Sequence, residues 1–93
     1  MLSKEPIDLS KVDEKDIDKE ILRLGVIAEL DAINLYEQLA AKAKSENIKK
    51  VLLDIAKEEK THVGEFQSML FNIDPEQVEE YEKGKKEVEE LSK

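Results

Sequence analysis

The sequence predicts an all-α fold: an antiparallel two-helix hairpin plus a short C-terminal helix, dimerising into a four-helix bundle. Three observations carry this expectation. Glu, Lys, Leu, Ile and Ala dominate a 93-residue chain that holds three Gly, two Pro and four aromatic residues, a helical composition rather than that of a β-sandwich. Apolar residues recur every three or four positions through two long stretches that contain no proline, the period of an amphipathic helix. Helix-start signals at Ser45 and Asp74 then divide the chain into three helical segments. With 41% charged and 40% hydrophobic residues, the chain is too apolar for a disordered acidic tail. A domain of this length buries only about 60–65% of its unfolded surface, so a partner chain or a metal would reinforce a thin core.

Residues 1–13 read as an N-terminal arm, with Ser3, Pro6 and Ser10 among scattered charges and Ile7, Leu9 and Val12 alternating. Asp13 or Asp16 can cap the helix that follows. That first helix is expected over 15–44, where Leu22, Val26, Ile33, Tyr36, Leu39, Ala40 and Ala43 form one stripe. Ser45-Glu46-Asn47 breaks the pattern and offers capping side chains to a second helix over 46–72. Its apolar face holds Ile48, Leu52, Ile55, Val63, Phe66, Met69 and Leu70. So short a connection makes the two helices antiparallel neighbours. Asp74, Pro75 and Gln77 form a capping box for a third helix over 75–91. Val78, Tyr81, Val88 and Leu91 give it a thin apolar line, interrupted by Gly84. The chain reads as a single domain with no internal repeat.

Several functional classes are excluded. With no cysteine, there is no disulfide framework, zinc ribbon, iron–sulfur cluster or thiol nucleophile. A net charge of −8 argues against a nucleic-acid partner, whose phosphates require clustered Lys and Arg. No apolar run approaches the ~18 residues of a membrane span, and no basic stretch leads into an apolar one as in a secretory signal. A cytoplasmic protein with no membrane partner is expected, its acidic surface attracting cations.

The informative positions are polar residues on the apolar stripes. On the first helix Glu29 sits at the centre of the line Leu22, Gly25, Glu29, Ala32, Tyr36, Leu39, Ala43. On the second, Glu59 and His62 sit at the centre of Ile48, Leu52, Ile55, Glu59, His62, Phe66, Met69. In an antiparallel hairpin, facing residues have the turn midway between them in sequence. Glu29 stands opposite both Glu59 and His62 about the Lys44–Glu46 turn, so the three should meet at one level. Taken singly, each has a plain structural reading. Glu29 could pair with Lys57 or Lys60, His62 could be a satisfied core histidine, and Tyr36 a core aromatic. Taken together, two carboxylates and an imidazole with no thiol make a hard oxygen and nitrogen site, suited to iron, manganese or zinc rather than copper(I). Di-iron helical bundles take one Glu from each of two helices and a Glu-x-x-His pair from each of two others. This chain holds half of that inventory, and a two-fold dimer would supply all of it.

At these residues the sequence resembles the encapsulated ferritins, two-helix relatives of ferritin and rubrerythrin, and is most similar to their archaeal branch, associated with or fused to an encapsulin shell protein. The resemblance runs from Ile21 to about Gln77, through Ala28-Glu29-Leu30-Asp31-Ala32, Tyr36-Glu37-Gln38 and Glu58-Glu59-Lys60-Thr61-His62. It implies a ferritin-like domain with ferroxidase activity: Fe(II) oxidised to Fe(III) by O₂ at a centre holding two irons per homodimer, feeding storage inside an encapsulin nanocompartment. By this likeness Glu29, Glu59 and His62 are the metal ligands, Tyr36 is the tyrosine beside the site, and Asp31 and Glu58 handle incoming metal. Ala28 stands where relatives usually have an acidic residue for that step. The resemblance also implies that dimers assemble into a larger ring, a decamer. Two rival readings are a rubrerythrin-like di-iron peroxidase and a non-catalytic helical assembly protein.

Overall fold

The structure is a computed structural model and describes residues 8–93; the first seven residues of the expected arm, with Ser3, Pro6 and Ile7, lie outside the described residues. Two 3-10 turns, Leu9–Lys11 and Glu14–Asp16, lead into three helices: α1 Ile17–Lys42, α2 Glu46–Ile73 and α3 Pro75–Leu91. The all-α hairpin with a C-terminal helix is what the sequence predicts.

The helix ends explain where the expected limits shift. α1 begins at Ile17, two residues later than expected, because the Asp16 N–H donates to the Asp13 carbonyl at 2.9 Å and holds Glu14–Asp16 in a tighter turn. Neither Asp13 nor Asp16 caps through its side chain; Asp18 and Glu20 in the first turn still favour the helix dipole. α1 stops at Lys42, two residues early, where Ala43 turns extended (φ −66°, ψ 135°) and donates to the carbonyls of Leu39 and Ala40. The Ser45 hydroxyl accepts the Ile48 N–H at 3.3 Å and starts α2. At the other end the Asp74 N–H closes α2 on the Leu70 carbonyl at 2.9 Å, while its carboxylate accepts the Gln77 N–H at 3.2 Å and opens α3. Only this half of the expected capping box forms, since the Asp74 N–H that Gln77 would take is already used. α3 runs through Gly84 without a break.

α1 and α2 pack along their length around a narrow core of Leu22, Ile33 and Ala40 on one side and Ala56 and Leu70 on the other. Leu39, Ile48 and Met69, expected on the packed stripes, stay largely exposed in the single chain. Two helices alone cannot enclose an apolar stripe that spans a third of each surface. Arg23 ties the base of the hairpin to the α2–α3 corner, bonding Glu20 at 3.0 Å and the buried Asp74 at 3.3 Å. The rings of Phe71 and Tyr81 meet at 5.3 Å, tilted by 52°. Beyond these contacts α3 leaves the hairpin, and every residue from Lys85 onward is exposed.

Candidate metal centre

Buried neighbours on α1, Leu22 and Ile33, turn the face that also carries Glu29 into the interhelical seam. On α2 the buried Ala56 and Leu70 do the same for Glu59 and His62. The antiparallel register brings all three to one level, with one ligand atom of each within 4.8 Å of the others. His62 Nδ1 lies 3.2 Å from Glu59 Oε2 and 3.5 Å from Glu29 Oε2. The side chains of Glu29 and Glu59 are 17% and 20% exposed and that of His62 44%, so the trio sits at the lip of the seam.

A carboxylate pair shares one donor here. Nδ1–H, when present, serves one acceptor, and Glu59 receives it. Glu29 Oε2 is buried with no hydrogen-bond partner among the described residues. An unanswered buried acceptor costs about 1–3 kcal/mol, and more when charged. One cation that could have answered it is engaged elsewhere: Lys60 pairs with Glu37 at 2.9 Å. The site therefore converges two oxygens and one nitrogen on a gap in which a divalent cation would satisfy every donor, with the hard and borderline ligands that iron, manganese and zinc favour.

The remaining candidates stand apart from this trio. Tyr36, half-buried, is two turns beyond Glu29 on α1, roughly 10 Å along the axis. Asp31 is half-buried and Glu58 exposed, and neither belongs to the cluster. The Arg23–Asp74 bond escaped the sequence reading, although a buried N-cap aspartate and the chain's single arginine are the two residues from which such a clip is made.

A hairpin with two carboxylates and an imidazole at one level carries the ligand types that helical metal-binding bundles use. Residues 20–93 match the Rubrerythrin family, and the chain belongs to that family. It is similar to a ferritin-like–encapsulin shell fusion protein of Pyrococcus furiosus, 56% identical over 94 residues, which cover 99% of this chain and 27% of the relative. The encapsulin nanocompartment cargo protein EncC of Myxococcus xanthus is 38% identical over 71 residues, 73% of this chain and 55% of that protein. The chain thus spans only part of the length of either curated relative. Among solved structures, the encapsulated ferritin domain from Pyrococcus furiosus aligns with a TM-score of 0.83 at 56% identity, covering 98% of this chain and 95% of that one. The resemblance to encapsulated ferritins holds on sequence and fold together. No helix among the described residues is long and apolar enough to cross a membrane.

Proposed function

We propose that the chain is a ferroxidase of the encapsulated-ferritin kind, acting as a homodimer that oxidises Fe(II) with O₂ and supplies iron for storage inside an encapsulin shell. The observation that carries this reading is the orphaned, buried Oε2 of Glu29 within a converging Glu29–Glu59–His62 trio. A lone chain offers three ligands, too few for two metal ions; a second copy doubles them.

The exposed apolar residues say which face would pair. Ile21, Ala28, Ala32 and Leu39 advance by seven and four along α1 beside Glu29, and Val51, Ile55, His62, Met69 and Ile73 do so along α2. Ile21, Leu39, Val51, Met69 and Ile73 are all left exposed, so the stripe that carries the site is also the stripe that needs covering. Pairing there would complete the four-helix bundle and put the two half-sites against each other.

Each ligand then has a task. Four carboxylates from two chains match the four positive charges of two Fe(II) ions, and anionic oxygen ligands favour Fe(III) over Fe(II). His62 would release its Nδ1 proton to bind metal and carry the remaining one on Nε2, which its exposure leaves to water or the partner. Two Fe(II) substrate ions held by these residues would each give up one electron, reducing one O₂ to hydrogen peroxide with two protons taken from water. Tyr36, two turns from Glu29 along α1, would be the tyrosine that the likeness assigns to the site, and Asp31 and Glu58 would hand metal inward, drawn by a charge of −8 on each chain. Assembly of dimers into a decameric ring within a cytoplasmic nanocompartment completes the proposal.

The family match supports a second reading, a rubrerythrin-like peroxidase, which would need a separate electron donor because the chain has no cysteine to hold one. Fe(III) formation followed by stopped flow separates the two. A ferroxidase oxidises Fe(II) rapidly with O₂, and Glu59→Ala and Glu29→Ala fall to the rate of buffer. Slow reaction with O₂ but fast, reductant-sustained turnover with hydrogen peroxide would favour the peroxidase. Variants as fast as the wild type would leave a helical assembly protein.

A further inference from the structure

One turn from the trio, Gly25 on α1 faces the Phe66 ring on α2 at close range. Gly25 precedes Glu29 by four residues on α1, and Phe66 follows His62 by four on α2, so both pairs lie at matching heights on opposite sides of the turn. A Cβ built on Gly25 would sit 2.8 Å from Phe66 Cδ1 and 3.0 Å from Cγ and Cε1. The near contact includes Cγ, anchored one bond from the Phe66 Cβ, so the ring cannot clear the space by swinging its far edge. Gly64 and Gly84, by contrast, have nothing within 4 Å; space at Gly25 alone is filled by the opposite helix.

We propose that Gly25 is a positioning residue for the metal centre: by admitting the Phe66 ring against bare α1 backbone, it sets the separation of α1 and α2 that brings Glu29 Oε2 and His62 Nδ1 to 3.5 Å. This rests on the metal reading given above. Metal–ligand distances tolerate only about 0.2 Å, and a methyl at position 25 forces Phe66 or its helix to give by more than that. Disturbing the support of a metal ligand typically lowers affinity 10–100-fold.

The test uses Co(II) as an air-stable probe, titrated into the whole chain and followed by its visible absorption, with helicity and assembly checked for each variant. Gly25→Ala should bind Co(II) at least tenfold more weakly than the wild type with an altered band shape. Gly25→Ala/Phe66→Leu, which returns roughly the volume of the added methyl, should recover affinity to within about threefold. Wild-type affinity in Gly25→Ala would overturn the proposal. So would a double variant that fails to recover binding or to fold, because relief of the Phe66 contact is the proposed cause. Should Gly25→Ala itself not fold, the double variant decides alone. A wild-type chain that binds no Co(II), or binds it unchanged in Glu59→Ala, would overturn the metal reading and this proposal with it.

Discussion

Glu29 is the residue on which the proposed chemistry turns, since among the described residues it alone has a buried carboxylate oxygen with no hydrogen-bond partner. In the metal-free protein that oxygen is a burden. At pH 8, Glu29→Gln should be at least as stable as the wild type, gaining up to about 1–2 kcal/mol from the removed charge, and thermal unfolding measures it. The same variant should lose the rise in Tm that Fe(II), Co(II) or Zn(II) gives the wild type, because ligand binding stabilises only a chain that binds. A metal-free Glu29→Gln chain several degrees less stable would mean that the carboxylate is structural. The convergence of Glu29, Glu59 and His62 was legible in the sequence because 3.6-residue periodicity and one short turn fix the height of every residue on both helices. The orphaned oxygen was not, since it depends on which rotamers meet; nor was the pairing of Lys60 with Glu37, which removes one of the cations that could have neutralised Glu29.

At the scale of elements, α1 and α2 follow from their stripes, while their limits follow from local competition for single N–H groups. Asp74 concentrates that competition. Its N–H ends α2, its carboxylate begins α3 and also holds Arg23. Asp74→Asn should keep the cap and lose the ion pair, a change of under about 1 kcal/mol because Arg23 is partly exposed. Asp74→Ala loses both and should cost about 1–2 kcal/mol, read from urea unfolding, with faster amide exchange in the first turns of α3. Equal losses in the two variants would assign the stability to the Arg23 pair instead. Sequence reading placed Asp74 as a cap through its neighbours Pro75 and Gln77, but a bond to Arg23 spans 51 positions, and no local pattern encodes it. Gly84 interrupts the apolar line of α3 but not the helix expected over 75–91, since one such residue costs only about 1 kcal/mol.

For the whole molecule, the decisive feature is how little it buries. Among the described residues five apolar side chains form the core, while large ones such as Leu39 and Met69 stay exposed, and on the dimer proposal the single chain is half of a structure as its site is half of a centre. Coupling follows: a substitution that blocks pairing should also remove metal binding, although it touches no ligand. Met69→Lys, seven residues beyond His62 on the exposed stripe, should shift the protein toward monomer in sedimentation velocity and weaken Fe(II) binding at least tenfold; a monomer that binds iron as before would break the coupling. The half-inventory of ligands is what makes the sequence suggest this proposed pairing, whereas exposure of Leu39, Ile48 and Met69 could be seen only once the hairpin was built, because periodicity marks an apolar face without saying which chain covers it. Native mass spectrometry of the anaerobic Fe(II)-titrated protein, with Glu59→Ala alongside, tests the central claim most directly. The shared-centre account predicts dimers, or multiples of them, saturating at two irons per pair of chains, with iron lost from the variant. Monomers that each hold their own iron, or iron that never saturates and is indifferent to Glu59, would contradict it.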